Sequence, residues 1–313
     1  MPLTRPLHII VFLLLISAGQ ELMAQVSYSY EESPFYRNVI NLGMHTGVSQ
    51  YFGELNQRFR FSRLHPELGF YARKKVKNQD ISFKAELRMT KVSGDDKKSK
   101  DSLERVRNLD FKSMVYEGSL EMNLGLLQLQ FPSTDLNAYL SLGVGLFAFN
   151  PYTQYEGKKV KLRPLGTEGQ YSYLPNKPLP YKGLAFSVPV GIGVRSSITK
   201  IYKVFAEAKY HFTNTGYLDD VHGYYAGYES FQPVSNTYDA ALAAILQDRS
   251  RDIGFGLKGT PRGNGSTDAF FTFNFGVEVQ IWQYVDKYRL RYQKRRVWDE
   301  RKYEKDKLPD DRQ

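Results

Sequence analysis

The sequence predicts an all-β fold, an eight-stranded antiparallel transmembrane β-barrel with long external loops and a charged C-terminal tail of helical spacing. Three observations predict it. Eight segments alternate apolar residues with polar or small ones, which is the period of a strand. Each segment is about 9–14 residues long, near the length a tilted strand needs to cross a bilayer. The gaps between segments alternate long and short, as the external loops and inner turns of a membrane barrel do.

The N-terminus sets the compartment. Arg5 and His8 precede an apolar run from Ile9 to Ala18, and small residues lead to Ala24. These are the parts of a secretory signal peptide, expected to be cut after Ala24. The run is about ten residues, too short to span a bilayer, which takes about 20. The chain is thus read as signal peptide 1–24, N-terminal periplasmic segment 25–38, barrel 39–282 and basic periplasmic tail 283–313. There is no cysteine, so no disulfide, thiolate nucleophile or thiolate zinc site is available. Tyr 23 and Phe 20 are high, while mean hydropathy is low at −0.47. Many aromatics in a polar chain suit strands with one apolar and one wet face. The net charge of +10 does not point to nucleic acid once the chain is exported.

The eight segments follow in order. The first runs from about Val39 to Phe52, with Ile40, Leu42, Met44 and Val48 on one face and His45, Gly47 and Ser49 on the other. The second sets Leu68, Phe70 and Ala72 against Glu67, Tyr71 and Arg73. The third sets Phe83, Ala85, Leu87 and Met89 against Lys84, Glu86 and Arg88. The fourth sets Met114, Tyr116, Leu120 and Met122 against Glu117, Ser119, Glu121 and Asn123. In the fifth, Leu140, Leu142 and Val144 oppose Tyr139, Ser141 and Gly143. In the sixth, Val188, Val190, Ile192 and Val194 oppose Ser187, Gly191, Gly193 and Arg195. The seventh opposes Val204, Ala206 and Ala208 to Glu207, Lys209 and His211. The eighth opposes Phe271, Phe273, Phe275, Val277 and Ile281 to Asn274, Glu278 and Gln280. A soluble barrel with the apolar face inward shares this alternation. The continuous aromatic face of the eighth segment, opposite tiny and charged residues, favours apolar outward.

Closure removes the unsatisfied edges that lipid would punish. Eight strands leave an interior filled by side chains. The inward set holds Glu67, Arg73, Lys84, Glu86, Arg88, Glu117, Glu121, Arg195, Glu207, Lys209 and Glu278. Buried charges must be paired, so a salt-bridged plug is expected in place of a pore or an acid–base site. His211-Phe212-Thr213-Asn214 resembles the His-x-Ser-Asn motif of outer-membrane lipid A deacylases, with Thr for Ser; a structural role is favoured. Asp95-Asp96 and Asp219-Asp220 could touch calcium, but lack the alternating acids of an EF-hand loop, and a solvated or turn-forming role is favoured. Gly263-Asn264-Gly265-Ser266 reads as a turn. No catalytic residue, metal set, cofactor or small-molecule substrate is assigned.

The loops carry distinctive strings: Tyr51-Phe52-Gly53-Glu54-Leu55-Asn56, Ser93-Gly94-Asp95-Asp96 and Arg107-Asn108-Leu109-Asp110-Phe111. Later come Phe149-Asn150-Pro151, Leu162 to Gln170, Tyr217-Leu218-Asp219-Asp220-Val221 and Gln247-Asp248-Arg249-Ser250. In this order the series resembles the PorG family, the small outer-membrane barrel of the type IX secretion system of Bacteroidetes. The resemblance covers about Ile40 to Trp282. It implies a non-catalytic outer-membrane component associated with the periplasmic PorK and PorN ring. The alternatives are a lipid A-modifying enzyme and a structural or surface-binding barrel unrelated to secretion. After Trp282 the tail sets Tyr284, Tyr288 and Tyr292 on one helical face, followed by Lys294, Arg295 and Arg296. These residues are candidates for partner binding, with a solvated tail as the other reading. Outer-membrane lipid is the remaining expected partner, and both termini are placed in the periplasm.

Overall fold

The computed structural model describes residues 39–76, 80–131, 134–173, 175–199, 201–231, 239–250 and 255–282. The expectations for 1–24, 25–38 and 283–313, including Tyr284, Tyr288, Tyr292, Lys294, Arg295 and Arg296, lie outside them. Ten strands form in chain order: β1 (Val39–Phe52), β2 (His65–Lys75), β3 (Ile81–Asp95), β4 (Asp110–Phe131), β5 (Thr134–Phe149), β6 (Tyr152–Tyr155), β7 (Lys158–Lys161), β8 (Leu184–Ser197), β9 (Tyr202–Thr213) and β10 (Ala269–Trp282). Eight of them close a ring, β1-β2-β3-β4-β5-β8-β9-β10, through the pairing of β3 with β4 and of β1 with β10. Every pairing around the ring is antiparallel. The closing seam pairs Val39 with Trp282 and Phe52 with Ala269. No edge strand is left around the barrel wall, as a lipid environment demands.

The eight ring strands are the eight alternating segments of the sequence. The largest change lies at the fourth gap, where β4 and β5 extend to a connection of only residues 132–133. A bulge between Gly125 and Leu127 carries β4 past the start of β3 at Ile81, which pairs with Leu124. The end of β4 therefore leaves the ring as a protruding hairpin with β5. Leu126, Leu127, Leu129 and Phe131 are exposed on it. The β6–β7 hairpin, which pairs at Tyr152 with Lys112 of β4, was not foreseen in the third long loop. Two short helices also lie in the loops, α1 (Ser102–Arg107) and α2 (Ala240–Gln247). Asp101 caps α1 by accepting from the Leu103 backbone N–H, and Asn108 ends it in the left-handed region at φ 57°; both devices satisfy free backbone groups of a helix end.

The short connections, 76–80, 132–133 and 198–201, share one rim with the first residue of β1 and the last of β10. The long ones, 53–64, 96–109, 150–183 and 214–268, share the other. The outward set is apolar, and on most strands exposed: Leu42, Phe70, Phe83, Leu87, Leu120, Val144, Phe186, Ile192 and Phe275 among others, with Val204, Ala206 and Ala208 of β9 half-buried. So large a continuous apolar surface has no counterpart on a monomer in water. With a polar interior, it is the surface of a transmembrane barrel. Inward glycines stand directly across from bulky inward groups, as in the pairs Gly43 with Tyr71, Gly69 with His45 and Gly193 with Tyr139. A Cβ on Gly193 would sit 2.4 Å from the Tyr139 ring, and one on Gly69 2.2 Å from the His45 ring. These glycines make the room that large side chains occupy in a narrow barrel.

The apolar core is not in the barrel's middle. It lies at the loop rim, where the inward positions become Tyr51, Val92, Phe111, Val115, Phe147 and Phe270. Leu55, Leu109, Leu162, Leu218, Val221 and Leu246 of the loops and α2 close over them. The loops thus form a packed dome.

Candidate functional site

The lumen is the first cluster of functional groups. Strand pleat aims every second residue inward, and the barrel's stagger decides which charges meet. Lys84 Nζ lies 2.8 Å from Glu86, 2.8 Å from Glu121 and 3.1 Å from Glu207. Lys209 Nζ contacts the same three carboxylates at 3.0, 2.9 and 3.1 Å. Two ammonium groups therefore bridge one triad of glutamates. Above them Arg88 lies 3.0 Å from Glu67 and 3.6 Å from Glu117, and also pairs with Glu86. Toward the turn rim Arg73 binds Glu278 through two nitrogens at 2.6 and 2.9 Å, with Arg195 3.5 Å from the same carboxylate. All eleven side chains are buried. The structure brings them into two groups, Arg73, Arg195 and Glu278 in one and the rest in the other.

Residues outside the expected set complete the lumen. His45 bridges Glu67 and Glu86 at 3.2 Å each. Ser187 donates to Glu117 at 2.5 Å and Ser141 to Glu121 at 2.8 Å. The Tyr71 hydroxyl donates to Glu278 at 3.1 Å, and the Arg195 guanidinium lies 4.5 Å from the centre of the Tyr139 ring. His45, Ser141, Ser187, Tyr71 and Tyr139 carry the inward phase in the sequence, and that phase was the signal that could have found them.

His211 and Thr213 both point inward from β9 and are not joined. His211 Nδ1 lies 3.1 Å from Glu117, Nε2 3.3 Å from the Thr272 hydroxyl, and the ring stacks on Phe270 at 4.2 Å. The Thr213 hydroxyl donates to the backbone carbonyl of Asp268 at 2.7 Å. A histidine that activates a hydroxyl must sit within hydrogen-bond reach of it. Here each group has other partners.

The dome is the second cluster. Arg107 forms a two-nitrogen pair with Asp96 at 2.8 and 2.9 Å and donates to the Arg262 carbonyl at 2.7 Å. Arg262 reaches Glu168 at 3.3 Å, and Tyr181 donates to Asp220 at 2.6 Å. Each long loop is tied to another by charged hydrogen bonds. Asp96, Asp219 and Asp220 are buried, which corrects the reading of both acid pairs as solvated. The apolar loop core draws these loops together and takes the carboxylates with it. Asp220 also makes a turn, at φ 70°. Burial raises Asp220 to about 6, against the pull of Arg262 and its hydrogen bonds to Thr167 and Tyr181. Burial likewise raises Asp96 even beside Arg107.

At the centre of the dome Glu54, Asp219 and Asp268 converge, with one carboxylate oxygen of each within 4.8 Å of the others. The Tyr51 hydroxyl stands 2.6 Å from Asp219 Oδ2 and 2.6 Å from Asp268 Oδ1. Burial, then mutual repulsion, raises Asp219 and Asp268 well above the ordinary aspartate value, and burial raises Glu54. Of these four the sequence singles out only Asp219, within an acid pair read as solvated or turn-forming.

The family profile for a domain of unknown function (DUF6089) matches residues 22–236. No curated protein matches the sequence. Among solved structures, similarity is found to the attachment invasion locus protein Ail of Yersinia pestis, at 9% identity and TM-score 0.35 over 78% of this chain and 99% of that one. Neisserial surface protein A (NspA) gives 10% and 0.36 over 78% and 99%. The N-terminal β-barrel domain of Pseudomonas aeruginosa OprF gives 9% and 0.32 over 79% and 99%. The barrel assignment rests on the closed ring of strand pairs.

Proposed function

The chain belongs to the DUF6089 family, and on that premise we propose that it is a non-conducting, non-catalytic outer-membrane component of the type IX secretion system, anchored beside the PorK and PorN ring. The observation that carries the scaffold part is the lumen, filled by paired charges and capped by the packed loop core. A barrel so filled offers lipid a wall and offers solutes no path. The secretion part rests on the ordered loop strings that resemble the PorG family.

In this reading the turn rim faces the periplasm. The first residue of β1, the last of β10 and the protruding β4–β5 hairpin all stand on that rim. Leu126, Leu127, Leu129 and Phe131 would then be presented where ring proteins dock, beside the tail that begins at 283. The test is affinity purification of the tagged full chain from native membranes. PorK and PorN are expected to co-purify, and to be depleted when residues 285–313 are deleted. A solitary barrel contradicts the secretion role. Full recovery of both partners without the tail contradicts only the tail's part in docking.

A further inference from the structure

The two carboxylate triads of this molecule are alike in geometry and unlike in counter-charge. Glu86, Glu121 and Glu207 in the lumen converge as Glu54, Asp219 and Asp268 do in the dome. The lumen triad has its cations built in, the ammonium groups of Lys84 and Lys209. Among the described residues no Lys, Arg or His forms an ion pair with the dome triad. Arg107, whose charge reaches Asp219, is committed to Asp96, and the His222 Nδ1, whose charge reaches Glu54, lies against the Ser266 carbonyl at 3.2 Å.

Glu54 supplies an independent observation. Glu54 is only 3% exposed, and neither carboxylate oxygen has a well-aligned hydrogen-bond partner, with the Asp268 carboxylate and the Asn264 backbone close by. An unpartnered buried carboxylate is among the costliest groups a fold can hold. Its neighbours have spare capacity. The Val221 and Leu218 backbone N–H groups each donate at 2.9 Å to one oxygen of Asp219 and Asp268, leaving further lone pairs free on both carboxylates. The Tyr51 hydroxyl has one proton for two oxygens at equal distance, so with both carboxylates ionised one of those contacts lacks a donor. Gly53 adds the room. A Cβ there would stand 2.0 Å from the Tyr51 hydroxyl oxygen and 2.2 Å from Asp268 Oδ1.

We propose that Glu54, Asp219 and Asp268, with the Tyr51 hydroxyl beside them, form a calcium site that pins the loop dome to the end of β1. The donors are all oxygen, as hard divalent cations require. Calcium takes oxygens at about 2.3–2.6 Å, so opposed ligands stand about 4.6–5.2 Å apart, a span that the triad's limit of 4.8 Å fits. Three carboxylates come from the first loop (Glu54) and from both ends of the fourth (Asp219, Asp268), so one ion joins segments far apart in the chain. The site is the dome's equivalent of the lysines below it.

The test uses the full chain purified in detergent, with calcium chloride alone as the probe. Calorimetric titration is expected to give about one ion per chain, and calcium is expected to raise the unfolding midpoint relative to chelator. Glu54→Gln, isosteric with the native residue, is expected to weaken binding by at least about tenfold, because affinity follows ligand charge count. Glu229→Gln removes an exposed acid of the fourth loop that pairs with Lys258, and is expected to bind as the parent does. Heat-modifiable electrophoretic mobility verifies that each variant holds a folded barrel. A midpoint indifferent to calcium and chelator overturns the proposal, as does parental binding by Glu54→Gln. A dome that responds to pH and not to calcium overturns it too, since protons then occupy the triad.

Discussion

The lumen and the dome solve one electrostatic problem by different means. In the lumen, rigid strands place Lys84 and Lys209 against Glu86, Glu121 and Glu207, and the register of β3, β4 and β9 with their neighbours holds them there. In the dome, loops place Glu54, Asp219 and Asp268 together with a tyrosine and, among the described residues, no base in an ion pair with them. The difference teaches that carboxylate convergence alone does not reveal a role. A triad with internal cations is a strut. A triad without them stores repulsion until a proton or an ion relieves it.

The comparison breaks most sharply at the lumen lysines. Lys209→Met leaves three buried carboxylates with one ammonium, and losing one partner of a buried pair costs about 3–5 kcal/mol. Urea unfolding followed by heat-modifiable mobility is expected to show that loss, and the Lys84→Met, Lys209→Met double variant is expected not to fold. A Lys209→Met barrel as stable as the parent would show that the ion pairs are dispensable.

The same chemical change is expected to act with opposite sign in the two triads. Glu121→Gln takes one of three carboxylates from each of two lysines and lowers stability by about 2–4 kcal/mol. In chelator, Asp219→Asn relieves repulsion and leaves stability unchanged or raises it by about 1 kcal/mol. Equal losses in both variants, read from unfolding midpoints at neutral pH, would erase the distinction.

A smaller effect follows from pH. Asp220 rises from an ordinary 3.8 to about 6 on burial, so between those values the folded dome binds more protons than the unfolded one. Stability then falls as pH rises through that window. Its contribution is fully present below about 3.8 and lost above about 6. Asp219, Asp268 and Glu54 are raised in the same direction, which strengthens the trend in chelator. Proteolysis rates of the 214–268 loop at successive pH values read it. A loop that tightens as pH rises from 4 to 6 would contradict the sign.

Two further variants probe the lumen with less force. Gly193→Val drives a side chain into the Tyr139 ring, and overpacking of this kind costs about 1–3 kcal/mol. Thr213→Ala deletes one hydroxyl hydrogen bond to the Asp268 carbonyl, worth about 1 kcal/mol. Mass spectra of lipid A are expected to be the same in cells carrying Thr213→Ala or His211→Ala; an altered lipid A would restore the enzymatic reading.

The barrel was legible because a strand's period is two and a closed sheet has only two faces. Leu42 and His45 declare their sides by phase alone. The pairing of Lys209 with Glu86, Glu121 and Glu207 was not legible, since it depends on the stagger of strands distant in sequence. The β4–β5 hairpin was missed because the bulge at Gly125 breaks the alternation at Leu126. The dome was illegible for a deeper reason. Asp219 and Asp268 lie in a loop without periodicity, and it is their neighbours Leu218, Val221 and Phe270, packed in one apolar cluster with Phe111 and Phe147, that bring them inside. One signal was present: a fourth connection as long as 214–268 is more often a functional or folded unit than slack chain.

The central claim is that the lumen is a neutralised strut and not a path. Single-channel recording of the purified full chain in planar bilayers tests it most directly. A silent membrane is expected with the parent protein at any polarity. A steady, ohmic conductance from the parent barrel would contradict it.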